Sequence, residues 1–159
     1  GNVGDAPDLG IGRELRVGQE ADIPAAIAAA RSALKELLED GLEGSEIVLL
    51  SPGSEELKIS QRICSQLSLE SAVVDQQGFD YRHHTNKALI ATVEGYKGLE
   101  RPVVFLIGFW TVGDTATLRS NFYKAVSRAN HTVYIAADDK LRSAIQSLMA
   151  EHLVGGKTK

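Results

Sequence analysis

At 159 residues with 43% hydrophobic content, the chain can bury one ordinary globular core and is too short for a second full domain. A formal charge of -4 excludes a global basic footprint, so any nucleic acid must be met by a local patch or shared with another domain. A single cysteine, Cys64, excludes an intramolecular disulfide and a zinc constellation, and no apolar stretch reaches the ~18 residues that a membrane-spanning helix needs.

The N-terminus lacks the charged and apolar regions of a secretory signal, and with Cys64 expected in the core the composition points to a cytoplasmic protein without membrane contact. Residues 1–12 hold four glycines, one proline and few large apolar side chains, so they read as a flexible tail or as a boundary cut in a longer polypeptide. Residues 155–159 read the same way, leaving one domain over 13–154.

In chain order, Glu14 to Val17 is a short strand-like edge. Asp22 and Pro24 open a helix whose apolar positions Ile23, Ile27, Ala30, Leu34 and Leu37 recur at helical spacing until Gly41. Glu46 to Ser51 is a continuous apolar run closed by Pro52 and Gly53, as expected of a strand buried on both faces. A helix follows from Ser54 to about Leu67. Further strands are expected at Ser71 to Asp75, Ala88 to Val93, Val103 to Phe109 and Thr132 to Ala137. Helices are expected at Thr115 to Ala129 and Asp139 to Leu153, with Asp114 and Asp138 as caps. Strands alternating with helices predict the α/β class, a three-layer parallel sheet with helices on both faces.

In such sheets ligands meet the loops at the carboxyl ends of strands, and Val93 to Arg101 is expected to be one of these. Gly95 and Gly98 permit close backbone approach, while Lys97 and Glu100 supply opposite charges, so the loop suits a phosphate or a ribose hydroxyl as well as it suits a plain turn. On the helix from Thr115, residues Leu118, Phe122, Ala125, Val126 and Ala129 form the apolar stripe. Asn121, Lys124 and Arg128 gather on another face, either as a solvated basic surface or as an anion site. His83 and His84 lack further ligands at metal spacing; with Phe79, Tyr81, Arg82 and Lys87 they make either an exposed loop or a single-strand contact. Trp110 packs at a sheet edge or stacks on a base, and no spacing supports covalent catalysis.

Two segments carry more. Ala91 to Val104 reads T-x-x-x-x-K-G-L-E followed by an apolar run, and Asn121 to Ala129 reads as an aromatic pair, a small apolar stretch and S-R-A. In order and separation they resemble the last two motifs of superfamily 1 DNA helicases of the UvrD, PcrA and Rep type. The resemblance implies a P-loop NTPase fold, the second RecA-like domain of an ATP-dependent helicase, in a short form without the large inserted subdomain. It implies Arg128 as an arginine finger on the γ-phosphate, Gly98 and Glu100 as nucleotide contacts with Glu100 on the sugar, and Thr92 and Lys97 near single-stranded DNA or RNA. Arg119 matches a further family arginine. ATP with Mg²⁺ would be held mainly by an N-terminal ATPase domain of the same polypeptide, because no G-x-x-x-x-G-K-[ST] loop occurs in the 159 residues. This fragment alone is therefore not expected to hydrolyse ATP.

Two departures weigh against full coupling. Glu94 stands where many relatives carry histidine and would repel a DNA phosphate, and the large inserted subdomain is absent, whereas Arg128 and Glu100 are retained. A non-catalytic, helicase-derived interaction domain for nucleic acid or protein is the rival reading, and a free-standing flavodoxin-like phosphate binder a third.

Overall fold

The computed structural model describes residues 13–74, 86–96 and 99–157, with only the backbone described for 152–157. Six strands form a single sheet: β1 (Glu14–Val17), β2 (Ile47–Ser51), β3 (Ser71–Val73), β4 (Ala88–Thr92), β5 (Arg101–Leu106) and β6 (Ala129–Ile135). Every pairing is parallel and the order is β1-β6-β5-β2-β4-β3, so β2 lies between the two strands that flank the T-x-x-x-x-K-G-L-E segment. The α-helices among the described residues are α1 (Ile23–Glu39), α2 (Leu57–Gln66), α3 (Thr115–Val126) and α4 (Asp139–Lys157).

The continuous apolar strands follow from burial on both faces. In β2, Val48 and Leu50 pack toward α3 and α4 with Val104, Leu106, Phe122 and Ile145. Ile47 and Leu49 pack toward α1 and α2 with Ala30, Leu34, Ile63 and Cys64. All five β2 residues are buried. Cys64 is wholly enclosed, and burial pushes its thiol up to about 11. The expected caps are formed: Asp22 accepts from the Ala25 amide at 2.9 Å, Asp114 from Thr117 at 2.8 Å and Asp138 from Leu141 at 3.0 Å.

Several boundaries differ from expectation. The second helix opens with a 3₁₀ turn at Ser54–Glu56 before α2 begins at Leu57. β5 starts at Arg101 and stops at Leu106, because Gly108 turns left-handed (φ 92°) and leads into a 3₁₀ turn over Phe109–Thr111. Pro102, without an N–H, coincides with a register shift between Arg101 and Val103. β6 begins three residues early, at Ala129, because Arg101 pairs with it. Helix α3 correspondingly ends at Val126 rather than Ala129. Ala129 is buried as the apolar stripe required, but from the strand. α4 continues to Lys157, past the expected end near Leu153 and through part of the stretch expected to be a tail.

Candidate nucleotide and nucleic-acid site

The segment from Val93 to Glu100 does not stay at the carboxyl edge of the sheet as expected. β4 ends there at Thr92, whereas the parallel β5 begins at the opposite, amino edge at Arg101, on the far side of β2. The intervening residues therefore cross the sheet. The described part is a 3₁₀ turn, Glu94–Tyr96, followed by Leu99 and Glu100. Val93 and Tyr96 sink into the core on the α3 and α4 face at 0% and 2% exposure, which pins the crossover to that face. Thr92 and Glu100 thus stand at opposite edges. Lys97 and Gly98 lie outside the described residues, as do Phe79, Tyr81, Arg82, His83 and His84.

At the amino edge the ladder brings the two sequence motifs together. The Arg101 amide donates to the Arg128 carbonyl at 3.0 Å, and Arg101 is in register with Ala129. Glu100 and Arg128 each immediately precede one of these two strands, β5 and β6, at the amino edge where Arg101 and Ala129 are in register. Arg128 is not on the basic face of α3. It sits in the tight turn from α3 to β6, where its amide donates to the Ala125 carbonyl at 3.0 Å. Its guanidinium is half-buried; Nη1 reaches only the Ser127 hydroxyl, at 3.3 Å, and Nε is buried with no partner among the described residues. A buried donor without an acceptor is costly unless a ligand completes it.

Two further arginines build this edge and were not singled out from the sequence. Arg13 donates through Nε to the Ala129 carbonyl and places Nη2 3.6 Å from Glu100 Oε1. Arg101, only 9% exposed, directs Nη1 at the carbonyls of Gly44 (3.0 Å), Ile47 (2.8 Å) and Lys87 (2.6 Å), tying β2, β4 and β5 together. Burial lowers the pKa of its guanidinium, and the Tyr96 side chain opposes that by hydrogen bonding to it. The crossover is therefore anchored at its middle and its end by one contact.

At the carboxyl edge, the Thr92 hydroxyl accepts from the Gly95 amide at 2.9 Å, shaping the turn and leaving its own proton to donate. Glu94 pairs with Lys124 at 2.8 Å, so the carboxylate expected to repel phosphate carries a compensating cation. Lys124 is thereby tied to the crossover. Asn121 donates back to the Thr117 carbonyl and Arg119 pairs with Glu151 at 2.8 Å, so neither is brought to the amino-edge cluster. Trp110 is half-buried and packs against both halves of the core. No group of three or more histidine, cysteine or carboxylate side chains suited to a metal occurs among the described residues, and no helix is long and apolar enough to cross a membrane.

No protein-family model and no curated protein matches the chain in sequence. Solved structures do match in fold. The C-terminal domain of a possible DNA helicase from Lactobacillus plantarum WCFS1 superposes with a TM-score of 0.59 at 11% identity, covering 77% of this chain and 73% of that one. The C-terminal domain of the DEAD-box protein Dbp5 gives 0.59 at 14% identity, covering 91% and 87%. Domain 2 of the DEAD-box helicase Mss116p, bound to an RNA duplex, gives 0.52 at 17% identity, covering 80% and 55%. The six-stranded all-parallel sheet with helices on both faces is thus the fold of a RecA-like C-terminal helicase domain.

Proposed function

We propose that the chain is the second motor domain of a superfamily 1 helicase, completing an ATP site whose phosphate loop belongs to a preceding domain. The observation that carries this reading is the meeting of the two motifs at the amino edge, where Glu100 and Arg128 immediately precede paired strands and the buried Nε of Arg128 has no partner among the described residues. A donor awaiting an anion beside a carboxylate able to accept from sugar hydroxyls fits a nucleotide. The choice of superfamily rests on the T-x-x-x-x-K-G-L-E and S-R-A segments, since the fold is shared with DEAD-box proteins. On this reading Arg128 stabilises charge spreading over the transferred phosphoryl group, Glu100 orients the sugar, and Mg²⁺ is held by the other domain. Thr92, at the opposite edge, meets single-stranded DNA or RNA together with Lys97, while Gly98 contacts the nucleotide with Glu100.

The test is Arg128→Ala in the full-length protein. ATP binding persists while nucleic-acid-stimulated hydrolysis falls by about 10³-fold or more, the scale of arginine fingers, and Arg128→Lys fails to restore it because a point charge lacks the planar fork. Unchanged turnover refutes the assignment. The rival reading, an interaction domain that no longer couples to ATP, draws on the Arg13 guanidinium already engaging Glu100. Wild-type protein that binds single strands without any stimulated hydrolysis would favour it.

A further inference from the structure

On the opposite face of the sheet, helices α1 and α2 lie side by side and leave a groove of about 340 Å³ between them. Its floor is apolar, made by Ile27, Ile59 and Ile63, and its rim carries Arg31, Lys58 and Arg62. Ile63 is buried, Ile27 and Ile59 are half-buried, and Lys58 and Arg62 are exposed. Among the described residues no carboxylate lines this cavity. Arg31 donates across the seam to Gln66 at 2.9 Å, and beyond that bridge lies a second hollow that carries Lys35 together with Glu39.

Arg13, Arg16, Arg119, Lys124 and Arg142 each have a carboxylate partner, whereas Arg31, Lys58 and Arg62 have none among the described residues. In a chain of formal charge -4, three uncompensated cations thus surround one apolar trough. We propose that this seam docks an acidic peptide segment of another protein, with an apolar side chain seated on the isoleucine floor and carboxylates on the Arg31, Lys58 and Arg62 rim. Grooves of this kind take the apolar face of an amphipathic helix, and unpaired rim charges set the sign of what is accepted. Nucleic acid fits less well: among the described residues no aromatic side chain lines the groove to stack a base. Lys58 and Arg62, one helical turn apart, lie on the same side of α2 and grip adjacent carboxylates of one ligand.

The test uses the 159-residue chain and three fluorescein-labelled helical peptides read by anisotropy. The first carries leucines one turn apart among glutamates, the second has serine for those leucines, and the third has lysine for those glutamates. The first is expected to bind, weakening as salt rises, and the other two to bind at least about tenfold more weakly, a difference of ~1.4 kcal/mol. Lys58→Glu combined with Arg62→Glu is expected to cost the first peptide at least tenfold while the thermal midpoint is unchanged. Should the reversal unfold the chain, amide shift changes on titrating the wild type decide, and they must map to Ile27, Arg31, Ile59 and Arg62. Equal binding of all three peptides, no binding, or shifts elsewhere overturns the proposal. Oligothymidine binding that the reversal abolishes, with no peptide binding, overturns it in favour of a nucleic-acid surface.

Discussion

Replacing Arg101 with methionine tests whether the amino edge is held together by one buried cation. The guanidinium offers two Nη1 protons to three carbonyls, those of Gly44, Ile47 and Lys87, at 2.6 to 3.0 Å. Hydrogen bonds to a charged group contribute ~1.5–3 kcal/mol each, and a buried acceptor left without a donor costs ~1–3 kcal/mol. Methionine fills much of the volume and recovers the desolvation cost of the cation, which offsets part of the loss. The net destabilisation is then about 3 kcal/mol. For a domain of this size each kcal/mol moves the thermal midpoint by ~2–4 °C, so a fall of roughly 6–12 °C is expected by calorimetry. Urea unfolding should show a lower midpoint with an unchanged slope, because the surface exposed on unfolding is the same. A fall below ~2 °C would mean that the three carbonyls are satisfied without Arg101, and the pinning argument fails.

Gly108→Ala should lower the thermal midpoint by several degrees, since φ is 92° there and a Cβ would stand 2.7 Å from Cβ and Cγ of Glu56; an unchanged midpoint would show that the turn relaxes freely. The Cys64 thiol has its folded pKa raised from 9.0 to about 11 by burial, so the unfolded chain releases this proton first as pH rises. Its contribution is fully present below about pH 9 and is lost toward pH 11, by up to ~2–3 kcal/mol. Comparing the pH dependence of urea midpoints for wild type and Cys64→Ala isolates it, and identical slopes above pH 9 would refute the assignment.

Much of the architecture was legible because it is written locally. The run Ile47 to Ser51 between turn residues, the caps Asp22, Asp114 and Asp138, and the alternation of strands with helices each depend on neighbours within a few positions. The end of α3 was not, because Ala129 satisfies the helical stripe and the sheet equally well. The choice is made by β5, whose Arg101 amide takes the Arg128 carbonyl and draws Ala129 into the ladder. Arg128 was thereby found in a turn rather than on a helical face. Arg101 and Arg13 were missed for the same physical reason: their acceptors, the Ile47 and Ala129 carbonyls, lie 54 and 116 residues away, and no spacing rule reaches that far.

Topology also decides what the two motifs mean to each other. The T-x-x-x-x-K-G-L-E segment gave its residues from sequence, but not that its first and last members stand at opposite edges of the sheet, because that depends on β2 lying between β4 and β5. If Thr92 serves a single strand and Glu100 a nucleotide, as proposed, their shortest covalent link is this eight-position step. Its middle is Tyr96, 2% exposed and hydrogen-bonded to Arg101, and its start is tied to α3 by Glu94 and Lys124. Close-packed side chains do not deform continuously. Tyr96 therefore moves together with Arg101 or stays where it is, a coupling that suits a segment joining two ligands.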